Sequence, residues 1–220
     1  FELQLNTSYT VSEDDGANQE NGTGFFRLSR SPAFVDLHAR DAQGRLYIRS
    51  NPFLQGSQNA NPIYYLEQNN QESQNTRFLG SLQGRYAATD WLDVTADFAY
   101  DRRTGNSYLL NDRGFRSTAE SPATAWGYFS TSTSDNRSLN TSIGASARPN
   151  LPVDNLSTTI TARVLYDQQE GFSNGNNGEN LAVPGLLSAG AAISNFGISS
   201  STFEEKSMSY LGQLDLDYLD

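Results

Sequence analysis

Five aromatic side chains outside the regular strand patterns are the residues best suited to contact a ligand. Aromatic faces stack on sugar rings and grip peptide side chains. The same rings also pack one loop on another, which is the competing interpretation for any single ring. The candidate ligand-binding residues are Tyr64, Tyr65, Tyr108, Trp126 and Tyr128.

Acidic and asparagine-rich segments raise the question of Ca²⁺ in the loops. Residues 171–180 read GFSNGNNGEN, and their Asn carbonyls and the Glu179 carboxylate are oxygen ligands of the kind that Ca²⁺ prefers. The segment lacks the Asp spacing of an EF-hand loop, so we expect a solvated loop tip, with calcium as the alternative. Residues 12–21 contain a run of acids and have the same two interpretations. No other metal or cofactor is predicted.

Catalysis and nucleic-acid binding are not predicted. The sequence has no cysteine and one histidine, His38, so every nucleophile–histidine pair would have to use that residue. Glu67 and Glu72 are of the type that hydrolyses glycosides, but nothing in the sequence fixes their separation. A net charge of −10 argues against a phosphate-binding surface. We therefore predict that the chain is not an enzyme.

Alternation of apolar and polar residues, which is typical of strands with one apolar face, dominates the sequence. Each alternating segment is near or above the length of about 9–11 residues that crosses a membrane as a tilted strand. The predicted strands are residues 1–11, 76–88, 92–101, 137–147, 156–167 and 207–219. The best helical candidate is residues 31–40, with Pro32 near its start.

The connections and the aromatic residues give these strands a direction. Long connections, residues 12–75, 102–136 and 168–206, alternate with short ones, residues 89–91 and 148–155. Rings near the long connections are Tyr9, Phe78, Tyr100, Tyr166 and Tyr210, and rings near the short ones are Phe1, Tyr86, Trp91 and Tyr218. Long extracellular loops, short turns and two aromatic girdles are typical of outer-membrane barrels. The sequence thus predicts an all-β fold, a segment of a transmembrane antiparallel up-and-down β-barrel with about six long strands.

The hairpin around the turn at residues 89–91 allows its register to be predicted. Both apolar faces must lie on one side of the sheet, which restricts the pairs to those with even residue sums. We predict Tyr86 opposite Leu92, because this register also sets Arg85 opposite Asp93. Opposite charges directly across strands contribute about 0.2–1 kcal/mol each.

Three segments resemble a known family once the strands are placed. Residues 61–66 read NPIYYL, residues 75–80 read NTRFLG, and residues 86–95 read YAATDWLDVT. This text resembles TonB-dependent transporters of the SusC/RagA type, in which an NP segment precedes a strand reading roughly R-F-x-G. A T-x-W-L turn then leads into the next strand. Residues 61–103 carry the resemblance, and elsewhere it is architectural.

The resemblance implies a barrel of about 22 strands with an N-terminal plug. Residues 1–220 would be part of one outer-membrane β-barrel domain, with the plug and the remaining strands outside this chain. The implied function is import of oligosaccharides or peptides across the bacterial outer membrane, with ligand bound by the extracellular loops and the lumen. The implied partners are outer-membrane lipid, the TonB system through regions outside this chain, and a surface lipoprotein of the SusD type.

Two other functions fit the same strands. A non-transporting barrel could anchor or scaffold a surface protein assembly, with its acidic loops as the interface. A soluble β-rich adhesin with long hairpins is the third hypothesis. A plug and a TonB-contacting segment in the full-length protein favour transport over both.

Overall fold

The computed structural model describes residues 1–15, 23–51, 60–116, 126–152 and 156–218. Six strands form one sheet in chain order, each antiparallel to the next. They are β1 (Glu2–Asp14), β2 (Asn69–Thr89), β3 (Leu92–Asn111), β4 (Tyr128–Ala147), β5 (Leu156–Leu181) and β6 (Ala192–Tyr218). The six predicted strand segments lie within these strands except for Phe1, which precedes β1, and Leu219, which is outside the described residues. The predicted up-and-down order is therefore confirmed.

Two short helices, α1 (Thr23–Arg30) and α2 (Pro62–Gln68), lie in the connection between β1 and β2. The predicted helix at residues 31–40 is wrong, because that segment forms turns and bends. The helix ends just before it at Arg30, two residues ahead of Pro32, which disfavours a helical conformation at the residue before it. Among the residues that the structure describes, no helix is long and apolar enough to cross a membrane.

The strands continue far beyond the predicted segments on the side of the long connections. We call these continuations the upper extension; they are residues 12–14, 69–75, 102–111, 128–136, 168–181 and 192–206. Much of what was expected to be loop is therefore paired sheet. The prediction of a loop tip at residues 171–180 is wrong in the same way, because these residues lie in β5 and pair with both neighbours.

The two faces of the sheet differ as the alternation predicts. Large hydrophobic residues are exposed on one side, which we call the apolar face. They include Leu5, Leu82, Phe98, Ile143, Val164 and Leu214. Arginine and aspartate side chains pair on the opposite side, which we call the polar face. In the part of the sheet below the upper extension, the side chains of the apolar face are left uncovered, and those of the polar face form hydrogen bonds with one another.

The exposed rings cross the sheet obliquely. Tyr9 on β1 is paired directly with Phe78 on β2. Following the paired residues from strand to strand, the residue of β6 directly across the sheet from Tyr9 is Glu204. The ring Tyr210 lies six residues beyond Glu204, which is about 20 Å at about 3.3 Å per residue, while the sheet is about 24 Å across at about 4.8 Å per strand. The line of rings therefore makes an angle of about 40° with the direction perpendicular to the strands. Measured from the perpendicular to the line of rings, the strands tilt by the same angle. Strands of outer-membrane barrels tilt by about 35–45°.

The predicted register of the β2–β3 hairpin is wrong by two residues. Gln83 pairs with Asp97 and Arg85 pairs with Thr95. The cause is a β-bulge: Thr89 pairs with Leu92 across a two-residue turn, Ala87 pairs with Asp93, and the residue between is extra. A two-residue turn alone would give odd residue sums, and the bulge restores the even sums that keep both apolar faces on one side.

A cysteine cross-linking experiment separates the observed register from the predicted one. The pair Gln83→Cys with Asp97→Cys should cross-link readily on mild oxidation, because the two residues are direct partners. The pair Gln83→Cys with Thr95→Cys is the matched control and should cross-link much more slowly. Faster cross-linking of the control pair would show that the bulge is absent.

Candidate functional site

The polar face holds two aspartates, each between two arginines. Asp101 accepts bidentate hydrogen bonds from Arg77, at 3.0 and 2.8 Å, and further bonds from Arg103 at 3.2 and 2.9 Å. Asp93 accepts bonds from Arg85 at 3.1 Å and from Arg148 at 3.3 Å. Each group carries one net positive charge, because two guanidiniums share one carboxylate. The predicted pairing of Arg85 with Asp93 therefore forms, but diagonally across the strands.

A third aspartate lies on the other side of the sheet, in the upper extension. Arg102 and Arg137 each donate two hydrogen bonds to Asp135. These bonds lower the pKa of the Asp135 carboxyl to about 2, first through Arg137 and then through Arg102. The carboxyl group is therefore ionised at neutral pH, where its arginines stay paired with it.

The connection between β1 and β2 packs against Phe115 and Arg116, which follow the end of β3. Leu46, Tyr64 and Phe115 are buried against one another, and Tyr65 contacts the edge of the Phe115 ring. The hydroxyl of Tyr64 accepts a hydrogen bond from the Arg116 backbone N–H at 2.6 Å. The candidate residues Tyr64 and Tyr65 thus pack one connection on another, and Tyr64 is only 4% exposed.

The other three candidate rings lie apart from this cluster. Tyr108, on β3, stacks on Phe129, and its hydroxyl donates to Glu72 at 2.9 Å, which raises the Tyr108 pKa. Trp126 is half-exposed, with the Arg113 guanidinium 5.4 Å from its ring centroid. Tyr128 begins β4 and is half-buried. The structure does not bring the five rings into one surface, and their contact with ligand stays a prediction.

The carboxylates singled out in the sequence are separately engaged. Glu67 of α2 pairs with Arg40 at 3.4 Å, whereas Glu72 accepts the bond from Tyr108. Among the described residues, no three His, Asp or Glu side chains are grouped so that they could hold a metal ion.

Sequence reasoning missed the polar side of the upper extension. Two successive rows of directly paired residues there have almost only small side chains, and we call them the serine wall. They are Ser12, Asn75, Gly105, Ser134, Ser173 and Ser201, then Asp14, Ser73, Ser107, Ser132, Gly175 and Ser199. Runs such as STSTS contain Thr, which favours strands. Because both faces of these strands are polar, alternation does not show which residues share a face.

Comparison with known proteins supports the fold. No protein-family model matches the sequence, and no curated protein matches it. Structures of the RagAB peptide importer in its "closed-closed" and "open-open" states match with a TM-score of 0.73, over 98% of this chain, at 12% identity. A structure of the RagAB peptide transporter gives the same values. This chain spans 24% of the matched chain. The sheet therefore has the fold of a segment of an antiparallel up-and-down β-barrel.

Proposed function

We propose that this chain is one section of the barrel wall of a TonB-dependent importer of the SusC/RagA type in the bacterial outer membrane. The observation that carries the proposal is the division of the sheet into an exposed apolar face and an ion-paired polar face. A lipid environment would leave Leu214 and Ile143, each 59% exposed, without the energetic penalty that water imposes. The polar face then lines the lumen.

The resemblance of residues 61–103 and the likeness to the RagAB peptide importer point to the same class of protein. Peptides or oligosaccharides are the proposed cargo, and the polar face and the loops above it are the proposed contact surface. Outer-membrane lipid covers the apolar face, and the TonB system acts through regions outside this chain. A surface lipoprotein of the SusD type is the proposed partner.

A deletion of the full-length gene tests this function. The deletion strain should lose growth on oligopeptides or on oligosaccharides as the sole source of nitrogen or carbon, and keep growth on free amino acids and monosaccharides. Complementation in a strain without TonB should fail to restore growth. Unchanged growth on every polymeric nutrient would contradict import.

The alternative function is a barrel that anchors a surface assembly. The layer formed by Leu46, Tyr64 and Phe115 favours it, because a packed and ordered loop layer is a suitable base for another protein. In that case the deletion would release a surface protein from the cells without changing nutrient uptake.

A further inference from the structure

A cavity of about 320 Å³ lies on the polar face of the upper extension, just below the serine wall. It spans β3 to β6, and its polar-face lining is Asp101, Arg103, Asn136, Ser138, Gln169 and Phe203. The volume is at the lower end of the range for small-molecule sites, which is about 300–1,000 Å³. The cavity combines a charged group, two amides, a hydroxyl and an aromatic ring.

Arg103 supplies the charge of this cavity. Its Nε and Nη2 both donate to Asp101, which also accepts two hydrogen bonds from Arg77, so two guanidiniums share this one carboxylate. The Arg103 side chain is 59% exposed, whereas the Asp101 carboxylate is 17% exposed. The arrangement holds Arg103 in place and leaves it able to bind a second anion.

The other charged residues at the cavity are engaged on the opposite side of the sheet. Arg137 donates to Asp135 there, and Glu170 accepts a hydrogen bond from Gln168. Both alternate with the polar-face residues of their strands, so they border the cavity without setting its charge. On the polar face, Glu205 is the direct partner of Gln169, and Asp167 lies one row below. Carboxylates therefore lie at the β5–β6 end of the cavity, and the positive charge is confined to Arg103 at the β3 end.

Phe203 forms the apolar end of the cavity because its strand partner is a glycine. It pairs directly with Gly171, and its ring lies over that residue. A Cβ added to Gly171 would lie 1.9 Å from a ring carbon of Phe203, so any other residue would displace the ring. The ring is 55% exposed and offers an open face.

The cavity is placed where an incoming ligand would meet it. Arg103 lies three residues beyond the girdle residue Tyr100, and Gly171 five residues beyond Tyr166. At about 3.3 Å per residue, the site is about 10–17 Å along the strands above the line of rings. The small residues of the serine wall keep the approach from above wide.

We propose that this cavity binds the carboxylate of a peptide, with Arg103 holding the carboxylate, Asn136 and Gln169 bonding the adjacent amide groups, and Phe203 contacting an apolar side chain. The inference rests on the proposed import function and deepens it by assigning a ligand class. A neutral oligosaccharide would also stack on the ring, but it would gain nothing from the positive charge. The exposed Arg103 guanidinium therefore favours a ligand that carries a carboxylate, as a peptide does.

The test measures peptide retention by the purified full-length protein in detergent. The probes are a mixture of synthetic tetrapeptides with free carboxyl ends and the same mixture with C-terminal amides, quantified by mass spectrometry. Arg103→Gln should lower retention of the free-acid mixture about tenfold, because a hydrogen bond to a charged group contributes about 1.5 kcal/mol or more. Amidated peptides should bind the unaltered protein about as weakly.

Arg102→Gln is the matched control, since Arg102 is the neighbouring residue in the chain but pairs with Asp135 on the other side. It should leave retention unchanged. Gly171→Ala changes no charge, and it should reduce retention of peptides with an apolar C-terminal residue by displacing Phe203. Heat-modifiable migration on gels verifies that each variant has a folded barrel.

Three results would overturn the inference. The first is equal retention of acid and amide peptides, and the second is an equal loss in the Arg102 and Arg103 variants. In either case peptide binding itself, and with it the proposed function, would stand. The third is retention of neutral oligosaccharides with no retention of peptides, which would remove the peptide ligand class while leaving import of oligosaccharides in place.

Discussion

Replacing Ile143 by arginine should destabilise the full-length protein in lipid by about 2–4 kcal/mol, the cost of a cation at the middle of the bilayer. Ile143 lies on the apolar face, midway between Leu139, at the level of the upper rings, and Ala147 at the end of β4. Its direct partners on the two sides are Ala96 and Val164. Its side chain is 59% exposed in the sheet and has no polar neighbour among these residues. An arginine there would have to leave its charge in hydrocarbon or thin the membrane locally.

Asn140→Arg is the matched control for this substitution. Asn140 is three residues away on the same strand, but its side chain is on the polar face. The unfolding midpoint in urea, measured in lipid vesicles, should fall clearly for Ile143→Arg and change little for Asn140→Arg. An equal effect of the two substitutions would mean that the faces do not meet different solvents.

Asn61→Ala should unfold the loop layer above the sheet while leaving the strands intact. Asn61 is 1% exposed, and its Nδ2 donates to the carbonyls of Leu37 and Tyr47 at 2.8 and 2.9 Å. Its Oδ1 accepts from the Ile63 backbone N–H at 3.0 Å. The substitution leaves three backbone groups without this partner, at about 1–3 kcal/mol for each buried group. We expect a local loss of about 3 kcal/mol or more.

Limited trypsin digestion of the intact protein measures this loss. Cleavage after Arg40 and Arg45 should become faster by about a hundredfold, because the site is cut in proportion to the population of the open segment. The exposed Asn70, at the start of β2, provides the control variant Asn70→Ala, which should be cut like the unaltered protein. Equal cleavage of both variants would show that Asn61 does not hold the layer.

The strand segments below the upper extension could be predicted because each residue there lies either on the apolar face or on the polar face. Leu92, Val94 and Phe98 alternate with aspartates in β3, and the structure places them on opposite faces as expected. From Arg102 to Ser107 the same strand continues with polar or small residues on both faces, so the alternation ends although the pairing does not. Strand ends were therefore predicted about ten residues too early at Asp101.

The register and the ring cluster needed information that local patterns lack. Pairing Arg85 directly with Asp93 was a sound energetic choice, but a diagonal pair serves the long arginine equally well, and the bulge near Thr89 decided the register. Tyr64 and Phe115 are adjacent in the fold and about fifty residues apart in the chain. No spacing rule reveals such a contact, so the sequence left ligand contact and loop packing as alternatives for Tyr64, and the structure shows packing on Phe115.

The central claim is that one face of this sheet meets lipid and the other meets water. Single spin labels at residues 139–145 of β4, in the full-length protein in lipid vesicles, test it most directly, and the absence of cysteine from this chain makes the labelling sites unique within it. Accessibility to oxygen should peak at Leu139, Ile143 and the other odd positions, and accessibility to a water-soluble nickel complex at the even ones. A pattern without a two-residue period, or with the opposite phase, would contradict the account.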